Sequence, residues 1–341
     1  MKRLILLLAV ALTTAFVLPD FSKACSRVLW KTKQGVVAAR TMDWGHSFED
    51  FLFIYPRGIE MDGGVEDGLK WTSKYGSVGC SIIGYAQKYG YDFAKDCHSD
   101  GINEKGLSAH LLYLGETVYE KPNDKPGVSY FRWIRYILDN FATVEEAVEG
   151  MREVRVIPVP MTDGKLFGVH VAVEDPSGDS AIFEFIGGNL VIHHGPEHTV
   201  MTNDPPYPFH VENLKRYKDF GGDLDLPGSS ESEDRFVRLA TYLKRLKEPK
   251  DSADALARIL GVIRWANTSF DADEYGPTWW TSLTDVSNKV WYFDWALNPN
   301  IVWVDLKKVN FDADQPVKFV NPRLPNLVGD ISGSFEPVED E

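Results

Sequence analysis

Apolar and polar residues alternate with a period of two along several short stretches, and each such stretch predicts a strand. Residues 25–30 alternate in this way, Lys33-Gln34-Gly35 makes a turn, and residues 36–41 alternate again. The two runs therefore form a hairpin with Cys25 at its open start. Phe51–Tyr55 is a third apolar run, stopped by Pro56 and Gly58. Residues 79–85 and 107–114 follow as strands, the second entered through a turn at residues 100–106. The period then changes. Phe131, Ile134, Ile137 and Leu138 recur at helical spacing within residues 129–140. Thr143, with Glu146 three residues on, is a capping pair that opens a helix running to about Arg152. Residues 167–174 and 180–186 are strands joined by the turn Asp175-Pro176-Ser177-Gly178, and residues 190–193 follow Gly187-Gly188 as another. Residues 235–246 and 253–263 are helical, and 279–283, 290–294 and 301–304 close the chain as strands. Strands and helices come in blocks, not in strict alternation. That favours mostly antiparallel sheets packed under helices, an α+β architecture.

The first 24 residues follow another pattern. Lys2 and Arg3 precede an almost wholly apolar run over residues 4–18, and Ser22-Lys23-Ala24 sets small residues where a signal peptidase reads. This predicts a secretory signal over residues 1–24 and an exported, periplasmic or secreted protein. Cys25 would then be the first residue of the mature chain. A lipid-anchored envelope protein also begins at a cysteine, but its signal usually carries an aliphatic residue where Ser22 stands and a small one where Lys23 stands. No later stretch is apolar for long enough to span a bilayer, so no stable membrane insertion is expected. The net charge of −14 argues against nucleic acid and anionic membrane surfaces as partners. Residues 334–341 are acidic and expected to fray. Two cysteines besides Cys25 remain, Cys80 and Cys97, and in an exported protein they are either a disulfide or two separate thiols.

An N-terminal cysteine joins a thiol to a free α-amine. The amine titrates at about 7.7–8.0, so near neutral pH it can serve as a base toward its own thiol. The hairpin brings Arg40 and Asp43 beside it. A carboxylate there can orient the α-ammonium, and a fixed positive charge favours thiolate. Taken alone, an Arg and an Asp at a strand end are more often a surface ion pair.

The order of motifs decides between these readings. Cys25-Ser26-Arg27 after a signal, then Arg40-x-x-Asp43, resembles the N-terminal-nucleophile cysteine hydrolases of the choloylglycine hydrolase and penicillin V acylase family, in its Gram-negative-type branch. Asp100-Gly101-x-Asn103-Glu104-Lys105-Gly106-Leu107, Met201-Thr202-Asn203-Asp204-Pro205, Leu226-Pro227-Gly228 with Asp234-Arg235-Phe236-Val237-Arg238, and Trp279-Trp280-Thr281-Ser282-Leu283-Thr284-Asp285 resemble later motifs of that family, in its order. The resemblance implies a four-layer αββα sandwich forming a single catalytic domain over residues 25–333. It implies hydrolysis of a linear amide through a thioester on Cys25, without a cofactor. By position, Cys25 would be nucleophile and base, with Arg40 and Asp43 flanking it. Asn203 and the Tyr113 backbone N–H would serve as oxyanion donors, and Arg235 would stabilise charge across the site. Trp44, directly after Asp43, would line the substrate pocket. Tyr113 and Trp44 lean toward a flat aromatic or fatty acyl group, as in penicillin V or an N-acyl-homoserine lactone. The Trp71-Thr72-Ser73-Lys74-Tyr75-Gly76 stretch resembles conjugated bile salt hydrolases instead. Relatives form tetramers, but here the segment between Asn203 and Arg235 is shorter than the one that carries their assembly loop, which argues against that homo-oligomer.

Other chemistries have less support. His193-His194 and His198 lack a carboxylate or cysteine at ligand spacing, so no metal is expected. Ser229-Ser230 lies in no Gly-x-Ser-x-Gly frame. An exported binding protein that keeps the fold without catalysis is the remaining alternative, and it would tolerate loss of Cys25.

Overall fold

A computed structural model of the chain describes residues 24–90, 97–160, 164, 166–271, 276–298 and 300–338. The predicted signal therefore lies outside the described residues apart from Ala24. The chain opens as the expected hairpin, β1 (Ser26–Thr32) and β2 (Gly35–Asp43), followed by β3 (Phe51–Tyr55). A small ribbon, β4 (Glu60–Asp62) and β5 (Lys70–Thr72), precedes β6 (Ser77–Ser81), helix α1 (Ile83–Tyr89), β7 (His98–Asn103) and β8 (Ser108–Tyr113). Next come β9 (Gly127–Ser129), α2 (Trp133–Asn140), α3 (Val144–Arg152) and β10 (Arg155–Ile157). The meander β11 (Val169–Glu174), β12 (Ser180–Ile186) and β13 (Asn189–His194) leads to the short β14 (Val200–Met201). Helices α4 (Tyr207–Leu214), α5 (Ser232–Arg245) and α6 (Ser252–Ile263) follow. The chain ends through β15 (Thr278–Asp285), β16 (Val290–Trp295), β17 (Val302–Asp305), β18 (Lys318–Val320), β19 (Gly329–Asp330) and β20 (Glu336–Pro337).

Two sheets organise these elements. One runs β14-β1-β2-β15-β16-β17-β19, antiparallel except at its β17–β19 edge, and the other runs β13-β12-β11-β8-β7-β6-β3-β18-β20, antiparallel throughout. Helices α5 and α6 cover the outer face of the seven-stranded sheet, and α2 and α3 cover that of the nine-stranded one. This is the expected four-layer αββα sandwich. The amphipathic helices close the outer layers, with Trp133, Ile134 and Ile137 of α2 and Ile259, Val262 and Ile263 of α6 fully or almost fully buried.

The inner faces meet through charge as well as apolar packing. Arg27 on β1 donates from Nε to Glu174 on β11 at 3.1 Å, and its Nη2 makes a second, shorter contact. The His110 ring nitrogens lie 2.6 Å from Glu174 and 2.6 Å from Asp100, and Trp291 Nε1 donates to Asp100 at 2.9 Å. Burial alone would push His110 down, but the flanking carboxylates of Glu174 and Asp100 raise it to about 9. Burial would raise Glu174, yet Arg27 and His110 hold it at about 2.

Four sequence expectations change here. The run at residues 79–85 is a strand only to Ser81. The Ser81 hydroxyl accepts from the Ile83 N–H at 3.3 Å, and the chain turns into α1, which ends at Gly90 in the left-handed region. Asp100 to Asn103 belong to β7, and the turn shrinks to Glu104-Lys105-Gly106. The Asn103 side chain accepts from the Lys105 and Leu107 N–H groups at 3.0 and 3.1 Å. The acidic tail is held in part, because Glu336–Pro337 pairs with β18 and Phe335 is buried. Finally, Cys80 and Cys97 are not bridged. The register sets Cys80 across from Asp100, and its thiol faces Asp50 at 3.4 Å in the inter-sheet layer. Cys97 belongs to the cluster under α2 and α3, on the sheet's other face.

Candidate active site

Cys25 stands one residue before β1, on the same inward face as Arg27. The register of β1 against β2 sets it opposite Met42. Its buried Sγ lies 3.9 Å from Met42 Sδ, 3.9 Å from the Asp43 carbonyl oxygen and 3.8 Å from Arg40 Nη2. Arg40 is fully buried, stacks on Trp280 at 4.4 Å and donates to the Leu111 carbonyl at 2.9 Å. It thereby ties the thiol to the second sheet. Burial pushes the Cys25 thiol up from its ordinary value, and the Arg40 guanidinium opposes that rise.

Asp43 ends β2 on the opposite face. Its carboxylate accepts from Thr41 Oγ1 at 2.9 Å and from Thr278 Oγ1, while the Ser26 N–H donates to Thr41 Oγ1 at 3.1 Å. A bulge in β15 between Thr278 and Trp280 brings Thr278 to this carboxylate. The carboxylate therefore sits against the backbone beside Cys25, not against the thiol. Burial pushes Asp43 up to about 6, against the lowering effect of Arg235 and the two hydroxyls.

Arg235 projects from the first turn of α5. Its Nη1 donates to the Cys25 carbonyl at 2.7 Å and to Ser26 Oγ at 2.5 Å, and its Nη2 to Asn203 Oδ1 at 2.9 Å. Asn203 in turn donates from Nδ2 to the Tyr113 carbonyl at 2.7 Å, while its own N–H and carbonyl are held by Ser232 and His210 at 2.9 Å each. The end of β8 makes this possible. Leu114 donates to Gly168, so Tyr113 and Val169 form a non-hydrogen-bonded pair, and the Tyr113 N–H and carbonyl both point away from β11. The β7 pairing ends at His110, which leaves that side of β8 to Arg40 and Asn203.

Beside the thiol opens a cavity of about 100 Å³, lined by Trp44, Phe48, Tyr85, Leu111, Tyr113 and Phe167 among others. The Trp44 ring lies 5.2 Å from Phe48, 6.0 Å from Tyr113 and 6.0 Å from Phe167, and the Trp279 indole N–H donates to the Trp44 carbonyl at 2.9 Å. All seven predicted site residues thus meet in one place. Phe48, Tyr85, Phe167, Met42 and Thr278 join them without having been singled out. The apolar run of residues 79–85 reads as a strand through Tyr85, and the hydrophobic pattern around Phe48 and Phe167 reads equally well as core. His193 turns instead to Glu184 at 3.2 Å and His194 to Asp179 at 2.8 Å. Among the described residues no three His, Cys, Asp or Glu side chains group as a metal site, and no helix is long and apolar enough to cross a membrane.

A four-layer sandwich whose first strand follows directly on a cysteine beside an apolar cleft has the N-terminal-nucleophile hydrolase fold. The family model for linear amide C–N hydrolases, the choloylglycine hydrolase family, matches residues 25–319, and the chain belongs to that family. Its members act on amide C–N bonds, and this protein is such a hydrolase. The chain is 37% identical to a penicillin V acylase of Pectobacterium atrosepticum, over 93% of this chain and 91% of that one. The structure of a penicillin V acylase from Agrobacterium tumefaciens superposes with a TM-score of 0.81 at 34% identity, covering 92% of this chain and 98% of that one. A bile salt hydrolase/transferase of Clostridium perfringens is 24% identical, over 85% of this chain and 95% of that one.

Proposed function

We propose that this hydrolase cleaves amides of flat aromatic or alkyl carboxylic acids, of the penicillin V or N-acyl-homoserine lactone kind, once residues 1–24 have been removed from an exported precursor. One observation carries the reading. The cavity at the thiol measures about 100 Å³ and is walled by Trp44, Phe48, Tyr113 and Phe167, which suits one ring or one alkyl chain better than a four-ring steroid. The higher identity to a penicillin V acylase than to a bile salt hydrolase/transferase supports it. That the family match begins at residue 25 supports the maturation step.

The chemistry follows from the groups in place. The α-amine of Cys25 takes the thiol proton, and Asp43, behind the strand, accepts from one N–H of the resulting ammonium while another is left to face the thiol and the substrate. The thiolate attacks the amide carbonyl carbon. The oxyanion accepts from the Tyr113 N–H and from Asn203, whose amide carries two N–H groups, one held by the Tyr113 carbonyl. The ammonium gives its proton to the leaving amine as the C–N bond breaks. Water, deprotonated by the same amine, then splits the thioester and releases the acid. Arg40 favours the thiolate, and Arg235 fixes Asn203 and the Cys25 carbonyl.

The test compares kcat/KM for penicillin V, a long-chain acyl-homoserine lactone and glycocholate on protein beginning at Cys25. A glycocholate value at least about tenfold above the other two, roughly 1.4 kcal/mol of extra transition-state binding, reverses the substrate order. Protein that keeps one extra residue before Cys25 should be inactive, because its nitrogen is then an amide. Full activity with that extension intact would refute the mechanism.

A further inference from the structure

We propose that Asp204 is a positioning residue for amide cleavage: its carboxylate fixes the spacing between the two oxyanion donors, the Asn203 amide and the Tyr113 N–H. The proposal rests on the oxyanion assignment above. Those donors come from different sheets. Asn203 follows β14 of the seven-stranded sheet, and Tyr113 ends β8 of the nine-stranded one. No ladder of backbone hydrogen bonds sets the distance between them.

Asp204 crosses that gap. Its Oδ2 accepts from the Gly115 N–H at 3.0 Å and its Oδ1 from the Glu116 N–H at 2.9 Å. Asn203, its neighbour, donates to the Tyr113 carbonyl at 2.7 Å. Two adjacent residues thus grip residues 113, 115 and 116 through three hydrogen bonds. Two of these are made to an ionised acceptor and are the stronger kind. A Cβ on Gly115 would stand 2.8 Å from the Tyr113 hydroxyl and 3.2 Å from Asp204 Oδ1, so a side chain there would displace one or both of them. From the Asn203 side the segment is already immobile, because Ser232, His210 and Arg235 hold Asn203 at its N–H, carbonyl and side chain. Asp204 extends that rigidity to the strand end that presents Tyr113. An oxyanion site depends on such fixed geometry, and a misplacement of about 1 Å can cost on the order of 100-fold in rate.

The experiment uses Asp204→Asn and Asp204→Ala, alone and combined with Asn203→Ala, in protein that begins at Cys25. The assay follows amine release from penicillin V, or from glycocholate if that is the better substrate, and thermal unfolding is recorded in parallel. Asp204→Asn keeps the volume but aims an NH2 group at one of the two N–H donors. It should lower kcat roughly 10- to 100-fold with KM within about threefold. On top of Asn203→Ala, the same change should lower kcat by less than about threefold, since the spacing it maintains has lost one of its two ends. Losses that multiply in full in the double variant overturn the proposal while leaving the oxyanion assignment intact. So does an Asp204→Asn protein with wild-type kcat per folded molecule, whatever its melting temperature. Asn203→Ala with wild-type turnover removes the assignment itself. If Asp204→Ala does not fold, Asp204→Asn decides.

Discussion

Replacing His110 with glutamine tests whether the buried charges between the sheets hold them together. Arg27, Glu174, His110 and Asp100 are fully buried and touch in series, with charge alternating in sign. His110→Gln removes one positive charge, which leaves Glu174 paired with Arg27 and Asp100 with the Trp291 indole but no longer with a cation in the series. Two routes give the size of the effect. Removing one partner of a buried ion pair costs about 3–5 kcal/mol. Independently, raising His110 from 6.5 to about 9 corresponds to roughly 3 kcal/mol. The sign follows from linkage. The folded protein holds this proton more tightly than the unfolded chain does, so the contribution is complete below pH 6.5. It is lost as pH rises toward about 9, at about 1.4 kcal/mol per pH unit. His46, His198 and His210, all lowered by burial, change only below that window. The Cys25 and Cys80 thiols, raised by burial, weaken the fold above about pH 8.5, but equally in both proteins. Urea unfolding of wild type and variant across about pH 6 to 8.5 reads the difference. The gap should be about 3 kcal/mol near pH 6 and fall below about 1 kcal/mol near pH 8.5. A gap that stays constant over this range, or an absent gap near pH 6, would refute the reasoning.

Three further outcomes are expected. With Asp43 pushed to about 6 by burial and its ionised form required, the fall of kcat/KM that begins as the α-amine is protonated should steepen by a further factor of about ten per pH unit below that value. Asp43→Asn should remove this steepening and lower the plateau while leaving the limb of the α-amine, and a steepening below about 6 that survives the substitution excludes Asp43 as its source. Asn203→Ala should cut turnover by roughly 10²–10³ with little change in melting temperature, and outright unfolding would mark the residue as structural. In denaturant without reductant, a thiol reagent should titrate Cys25, Cys80 and Cys97 together, whereas reaction of Cys25 alone would mean that the other two are bridged.

The opening hairpin was legible because its signals are local: alternation on both sides of Lys33-Gln34-Gly35 fixes strands, turn and register together. Asn203, Arg235 and Tyr113 were placed by their order in motifs, not by any pattern of their own. The charge chain through His110 and Glu174 left no such trace. Its members sit in strands that alternate normally, and only the stacking of two sheets reveals that their inward polar residues meet. Helix α4 escaped for a different reason. Pro205, Pro206 and Pro208 read as breakers, yet a proline in the first turn of a helix gives up no hydrogen bond that the turn would make.

The sequence alone determined the candidate nucleophile, the block order of strands and helices, and the family to which they belong. These follow from residue identity, short-range periodicity and linear spacing. Only the tertiary structure decided which face of the hairpin each group occupies. The thiol and Arg40 point into the inter-sheet cleft, while Asp43, Thr41 and Arg235 gather behind the strand around the Cys25 backbone. It also decided that Cys80 and Cys97 lie apart and that Trp44, Phe48, Tyr113 and Phe167 wall one cavity. The physical reason is the same throughout. Side chains on paired strands are fixed in register by the hairpin, but contacts between sheets depend on how two twisted surfaces stack, and no local pattern in the chain encodes that.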